Sequence, residues 1–203
     1  MLRIYRGGMA RHEKQRIRDV GTLKALAHPL RMRLYRALTV AGTATASQLA
    51  DQVDEAVSLV SYHLRKLAEH DLIEEAGTGR GDARERWWQP SADSISTRSS
   101  DFRDTPEGDA VHRAMSRLHS RQLAEMYDGY LDTQAAWAEP WRDSAFSSES
   151  LLSLTAEELR ALGVELGEVV EKWKARGKAA REAGDTEGRE NTAVHTYGFP
   201  FRT

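Results

Sequence analysis

The chain has 203 residues, of which 40% are apolar and 30% charged, and none is cysteine. This length provides for one large domain or two small ones with a hydrophobic core, which argues against a wholly disordered chain. Without cysteine there is no disulfide, thiol nucleophile or thiolate metal site. No segment has the ~18–20 consecutive apolar residues of a membrane helix, and the N-terminus lacks an apolar stretch of signal-peptide length, so we expect a cytoplasmic protein.

The net charge of −2 combines two regions of opposite sign. Residues 1–90 carry 15 Lys and Arg against 11 Asp and Glu, whereas residues 91–203 carry 14 against 20. Such asymmetry indicates that one part of a chain meets a polyanion. The net charge is therefore no argument against nucleic-acid binding.

Two helices are predicted near the N-terminus. Residues 1–11 show no periodicity, and we expect them to be mobile. Apolar residues then recur at three-residue steps and predict a helix over residues 13–26. Pro29 interrupts this helix and suits the first turn of the next one, which we expect over residues 29–40 with Gly42 as its end.

Two shorter helices follow, joined by a brief polar connection. The third helix is predicted from Thr45 or Ser47 to Val53, with a hydroxyl as its N-cap. The fourth is predicted over residues 56–70, with one apolar side formed by Val57, Val60, Leu64 and Leu67. A short helix, a tight turn and a second helix with polar residues outward are typical of a helix-turn-helix.

A β-hairpin is predicted after the fourth helix. Residues 72–76 and 84–89 have the composition of strands, and the glycine-rich segment 77–82 between them is typical of a turn. On the second strand Trp87 and Trp88 point to opposite faces, so one of them should enter the core. Four helices and a hairpin in this order predict a mainly α fold with a small β-hairpin wing, a winged helix-turn-helix over residues 12–90.

The remainder of the chain differs from residues 1–90 in composition and in its predicted elements. The serine-rich segment 91–104 is predicted to be a linker, and residues 105–203 a helical region for dimerisation or effector sensing. A long helix should begin at the Thr105-Pro106 pair and continue to Glu139, where Pro140 ends it.

The last helix and the tail complete the prediction. Residues 141–154 are expected to be irregular or a strand. A capping box at Thr155 predicts a final helix to about residue 183, in which Gly163 and Gly167 would allow close approach of another helix. The segment 193–201 is a candidate edge strand.

Four segments in the first part resemble the ArsR-type winged helix-turn-helix repressors. They are LKALAHPLRMRLYRAL (23–38), SQLADQV (47–53), VSYHLRKLAEHDLI (60–73) and the glycine-rich hairpin that ends in RERWW. The resemblance covers about residues 18–90, and its specificity comes from the order and spacing of all four segments. It implies a homodimeric transcription regulator that binds an inverted-repeat operator and often releases DNA when a metal or small molecule binds.

The resemblance also implies a recognition helix whose residues 60–64 meet the major groove. The chain departs from the family's pattern at Leu59, where a threonine often contacts phosphate, and at Ala56, where Ser, Thr or Asn is usual as the cap. These departures concern the phosphate contacts at the start of the helix.

The candidate DNA-contacting residues on this helix follow from its chemistry. Short donors and acceptors near the N-terminus reach base edges, which fits Ser58, Ser61 and Tyr62. Longer cations farther along reach phosphates, which fits Arg65 and Lys66. The alternative is that these residues are simply the solvated face of an amphipathic helix.

Three arginines of the hairpin are further candidates. Arg80, Arg84 and Arg86 can enter the minor groove or lie along phosphates, and the alternative is a polar turn without contacts. His63 has two interpretations as well, a packed structural histidine or a DNA contact.

No metal, cofactor or catalytic site is predicted. The best metal candidates are Asp109, His112 and His119, but the two histidines are separated by ~10 Å of helix rise, too far to hold one ion together. The chain has no HExxH or GxSxG motif and no phosphate-binding glycine loop after a strand, so we do not expect an enzyme.

These features predict a sequence-specific DNA-binding transcriptional regulator, a repressor that acts as a homodimer on double-stranded DNA. One alternative is a winged-helix protein-interaction module, which Leu59 and the negative net charge favour. Another is a small-molecule sensor for an unknown effector, with a pocket lined by Trp137, Trp141, Phe146, Trp173 and Tyr197.

Overall fold

A computed structural model describes residues 15–77 and 85–202 of the chain. The chain divides into two compact units, of which the first ends at Asp128 and the second begins at Gly129. The predicted mobile segment 1–11 and residues 78–82 of the predicted turn lie outside the described residues, as do residues 83 and 84. Among the described residues, no helix combines the length and the apolar character needed to cross a membrane.

The N-terminal helix is shorter than predicted. Helix α1 is Val20–Leu26, and the Asp19 carboxylate caps it by accepting a hydrogen bond of 2.7 Å from the backbone N–H of Thr22. The residues before it form strand β1 (Gln15–Arg16), so the prediction of a helix from residue 13 was wrong in its first part. A strand forms there because its backbone pairs with a distant segment, residues 95–96.

The next three helices agree with the prediction. Helix α2 is Pro29–Ala41, and Gly42 follows at φ +75°, a conformation that glycine adopts without a Cβ penalty. Helix α3 is Ala46–Val53 with a complete capping box at Thr45, and helix α4 is Val57–Ala68. Helix α4 contacts α1, α2 and α3.

The wing is confirmed as an antiparallel pair, and a third strand extends it. Strands β3 (Ile73–Glu75) and β4 (Trp87–Pro90) pair with Glu75 opposite Trp88. Strand β2 (Ala44–Thr45), which the sequence analysis missed, pairs with the other edge of β4 and gives the order β2-β4-β3. Trp88 is buried whereas Trp87 is half-buried, in agreement with the predicted alternation.

A single core joins these elements. Its largest fully buried side chains come from α1 to α4, from the residue before β3 and from β3 itself: Leu23, Leu26, Leu34, Leu38, Leu49, Val60, Leu64, Leu67, Leu72 and Ile73. Burying ten such side chains is the main stabilisation of the unit, since each contributes about 1.5–3 kcal/mol. This core holds α4 in place by its apolar side.

The segment predicted to be a linker takes part in the first unit. Strand β5 (Ile95–Ser96) pairs in parallel with β1, and a short 3-10 helix, Ser99–Asp101, follows. Phe102 is buried in the core, and Asp101 forms an ion pair of 2.5 Å with Arg16. The division of the chain at residues 91–104 into a DNA-binding part and a part for dimerisation or effector sensing stays a prediction.

Helix α5 is Pro106–Thr133, six residues shorter than predicted. A 3-10 turn at Gln134–Ala136 separates it from helix α6 (Glu139–Ser144), so the prediction that Pro140 ends the long helix was wrong. Pro140 lies in the first turn of α6, where its missing N–H has no helical partner to lose.

The second unit contains α6 and helix α7 (Ala156–Glu182), which begins at the predicted capping box of Thr155. No described residue from 129 to 202 is buried. A Cβ at Gly163 or Gly167 would meet no neighbouring atom within 4 Å, so these glycines make no close contact with another helix among the described residues. The segment 193–201 is not a strand, which corrects the prediction of an edge strand, because it pairs with no strand in the part of the chain that the structure describes.

Candidate nucleic-acid interface

Helix α4 presents one side to the core and leaves the other accessible. Val60, Leu64 and Leu67 are fully buried against the neighbouring helices. Residues at three- and four-residue spacing share a helix face, so the side chains between these positions point outward. Most of the predicted recognition residues belong to this outward face.

The N-terminal half of α4 exposes short and aromatic side chains. Ser58 and Tyr62 are exposed and Ser61 is half-buried. Val57, predicted to join the apolar side, is instead exposed, because it occupies the first position of the helix at the margin of the buried side. Ala56 makes no side-chain hydrogen bond to the helix, as its departure from the family's pattern implies.

The C-terminal half of α4 carries the two predicted phosphate-binding cations. Arg65 is exposed, and its Nε donates a hydrogen bond of 3.2 Å to the carbonyl oxygen of Ser61. The Nζ of Lys66 lies 2.7 Å from Glu69 and 5.9 Å from the ring centre of Tyr62. The hydrogen bond to Glu69 raises the pKa of Lys66, so the ammonium group keeps its charge.

A basic notch beside the end of α4 was missed by the sequence analysis. It is a shallow cavity of about 280 Å³ whose polar lining comes from Lys24, Arg31, Lys66 and His70. The guanidinium of Arg31 is held by two carbonyl oxygens, of Ala25 and of Lys24. Arg31 follows the buried Leu30 on α2, and the packing of α2 against α4 brings it beside Lys66.

Of the three candidate arginines of the wing, the structure describes Arg86. Arg80 and Arg84 lie outside the described residues. Arg86 forms an ion pair of 3.0 Å with Glu75 on the neighbouring strand, and its guanidinium lies 5.5 Å from the ring centre of Trp88. Both partners of this ion pair are more than half exposed, so Arg86 remains accessible at the edge of the wing.

His63 belongs to the interior of the first unit. It is 5% exposed and contacts His28 at the start of α2. Of its two interpretations, the packed structural histidine fits this position.

The candidate metal residues have other contacts. The ring of His112 stacks on Phe102 at 5.4 Å, the Nδ1 of His119 lies 2.9 Å from Arg36, and Asp109 pairs with Arg113. Within residues 15–77 and 85–202, no group of three or more metal-ligating side chains comes together. The predicted aromatic pocket is not enclosed, since Trp137, Phe146, Trp173 and Tyr197 are all exposed.

A family model described as a helix-turn-helix domain matches residues 26–76, which include α2, α3, α4 and β3. This part of the chain is a helix-turn-helix domain. The resemblance to the ArsR-type regulators is confirmed for it. Within the matched residues, α3 and α4 are the two short helices that follow each other across the predicted tight turn. No curated protein matches the chain.

Several solved structures are similar to the chain at low identity. A possible transcriptional regulator for arsenical resistance is 27% identical, with a TM-score of 0.31, over 52% of this chain and 95% of that one. A MarR family transcription regulator is 18% identical, with a TM-score of 0.31, over 78% and 79%. ZitR of Lactococcus lactis in complex with DNA is 15% identical, with a TM-score of 0.25, over 76% and 74%. The function of this chain is therefore inferred from its own residues.

Proposed function

We propose that the chain is a sequence-specific DNA-binding transcriptional regulator whose α4 reads the major groove. The observation that supports this proposal is the order of side-chain types along the accessible face of α4. Small hydroxyl groups occupy its first two turns, at Ser58 and Ser61, and Arg65 and Lys66 follow in its last turns. Base-edge readers followed by phosphate-binding cations are what a recognition helix needs.

The basic notch adds to the phosphate-binding end of this face. Lys24 and Arg31 lie beside Lys66, so a phosphate near the end of α4 would meet several cations. Neutralising phosphates releases condensed counterions, which drives sequence-independent affinity. Arg86 at the edge of the wing would bind phosphates of the flanking DNA. We propose the same role for Arg80 and Arg84.

We propose further that the chain acts as a homodimer and as a repressor. On α7 the apolar side chains of Leu166, Val169 and Trp173 share one helix face and are exposed in the single chain. Neighbouring exposed apolar side chains of this kind are typical of interaction surfaces. A twofold dimer would place two copies of α4 about 34 Å apart, the spacing of successive major grooves, and would match an inverted-repeat operator.

The test is a binding measurement with the full chain and DNA duplexes. Duplexes from the region upstream of the chain's own coding sequence are used in a mobility-shift assay, together with duplexes selected from a random library. We expect wild-type protein to retain one sequence over competitors and to migrate as a dimer. Arg65→Ala should weaken binding without lowering the melting temperature, since Arg65 is exposed.

The matched control is Arg142→Ala, which removes the same charge from an exposed position of α6. It should bind like the wild type. Selection that enriches no sequence, or equal binding by both variants and the wild type, would overturn the proposal for α4. Light scattering that finds a monomer on DNA would overturn the dimer, and increased transcription from the bound promoter would overturn the repressor.

A further inference from the structure

The first two turns of α4 expose large apolar and aromatic side chains beside the serine hydroxyls. Val57 is 45% exposed, Leu59 39% and Tyr62 48%. The first eight residues of the helix, 57–64, contain no Arg, Lys, Asn, Gln, Asp or Glu. This is the part of a recognition helix that lies nearest the base edges.

The core of the first unit does not account for these side chains. Val60 and Leu64, the neighbours on the buried side, are already fully enclosed. At ~100° per residue, Val57 and Leu59 lie on either flank of Ser58. The accessible face therefore consists of hydroxyl groups between two aliphatic side chains.

Such a face matches only some base pairs. In the major groove, arginine and lysine bind guanine and asparagine and glutamine bind adenine through paired hydrogen bonds, whereas the C5-methyl group of thymine accepts an apolar contact. Residues 57–64 supply none of the side chains for the first two modes. They supply aliphatic groups for the third and serine hydroxyls, which bond to any base edge.

We propose that Val57 and Leu59 read thymine, by contacting the C5-methyl groups of T·A pairs in each half-site. This proposal rests on the proposed function and adds the class of sequence that the helix selects. The cations Arg65 and Lys66 and the basic notch argue for DNA as the occupant of this face, since phosphates complement a cluster of positive charge and an apolar protein partner does not.

The experiment begins with the full-length protein and a random library of double-stranded DNA. After selection, each thymine of the enriched half-site is replaced by deoxyuridine, one at a time. This change removes the C5-methyl group and leaves the base-pairing edges and the phosphates intact. We expect the dissociation constant to rise about fourfold at one or two thymines per half-site, the ratio that corresponds to one buried methyl group.

Two variants test whether the loss of affinity with deoxyuridine depends on the side chains of Val57 and Leu59. Leu59→Ala and Val57→Ala should each bind the thymine and deoxyuridine duplexes equally at one position, because the methyl group has lost its contact. Both positions are exposed, so both variants should fold, and their melting temperatures verify this. Leu152→Ala, a substitution at an exposed leucine of the second unit, is the matched control and should keep the fourfold difference.

Each result has a distinct meaning. Sequence-specific binding with no response to deoxyuridine at any thymine would overturn this inference and leave the proposed function standing. A response that persists in both Leu59→Ala and Val57→Ala would assign the methyl contacts to other residues and overturn it as well. A chain that enriches no sequence would overturn the proposed function and this inference with it.

Discussion

The imidazole rings of His28 and His63 pack against each other in a tilted arrangement in the first unit, with their centres 4.5 Å apart and their planes inclined by 40°. His28 is the residue before α2 and His63 is in the middle of α4. The Nδ1 atoms of both rings are buried and have no hydrogen-bond partner among the described residues. The pair therefore connects the start of α2 to the helix that we propose reads DNA.

Acid should weaken the fold through this pair. Burial lowers the pKa of His28 below its ordinary 6.5, and Arg31 adds to the effect. Burial also lowers the pKa of His63, followed by the charges of His28 and Arg31, while Glu55 opposes them. The unfolded chain takes up protons near pH 6.5 and the folded chain only at lower pH, so this contribution to stability is complete above pH 6.5 and declines below it.

Urea unfolding at a series of pH values measures this effect. We expect the free energy of unfolding to fall between pH 7 and pH 5, and His28→Gln to reduce the slope because one titrating ring is removed. His112→Gln on α5 controls for the loss of a histidine outside the pair. A wild-type slope of zero, or a slope unchanged in His28→Gln, would contradict this assignment.

A second prediction concerns the anchor between α2 and α5. Gln122 is 6% exposed, and its amide donates to the carbonyl oxygen of Pro29 at 3.1 Å and accepts from Arg36 at 3.0 Å. Gln122→Ala removes both hydrogen bonds from the interior, each worth about 0.5–1.5 kcal/mol, and we expect a loss of about 1–3 kcal/mol in the free energy of unfolding. Gln134→Ala, at an exposed glutamine, should cost less than about 0.5 kcal/mol. Equal losses in the two variants would show that Gln122 is no anchor.

A third prediction uses two glycines of the same helix. A Cβ at Gly108 would lie 2.5 Å from the carbonyl oxygen of Phe102, whereas one at Gly129 would meet nothing within 4 Å. We expect Gly108→Ala to destabilise the fold by about 1–3 kcal/mol through overpacking. Gly129→Ala should stabilise α5 by about 0.4–1 kcal/mol, because alanine restricts the unfolded chain. Thermal unfolding of both variants tests the prediction, and a stabilising effect of Gly108→Ala would refute the close approach.

Features that depend on neighbouring residues could be predicted from the sequence. Gly42 ends α2, and Thr45 and Thr155 cap the helices that follow them, because each of these signals acts within one helical turn. The opposite directions of Trp87 and Trp88 follow from the two-residue period of a strand. The apolar side of α4 was predicted at three of its four positions.

Features that depend on residues far away in the sequence could not be predicted. Strand β1 exists because Gln15 pairs with Ile95, eighty residues away, and nothing local to residues 15–16 indicates it. The basic notch likewise requires Arg31 on α2 to lie beside Lys66 on α4. Val57 follows the apolar spacing of α4 but is exposed, because burial at the first position of a helix depends on which element lies beyond its end.

Salt dependence tests the central claim, that α4 and its flanking cations bind DNA, most directly. Fluorescence anisotropy with a labelled duplex gives the dissociation constant between 50 and 200 mM salt. For 6–10 phosphate contacts we expect affinity to fall by about 10³-fold or more, and Arg65→Ala should reduce the slope of the log–log plot by about one contact while Arg142→Ala keeps it. An affinity that does not change with salt, in the wild type and in both variants, would contradict DNA binding by this helix.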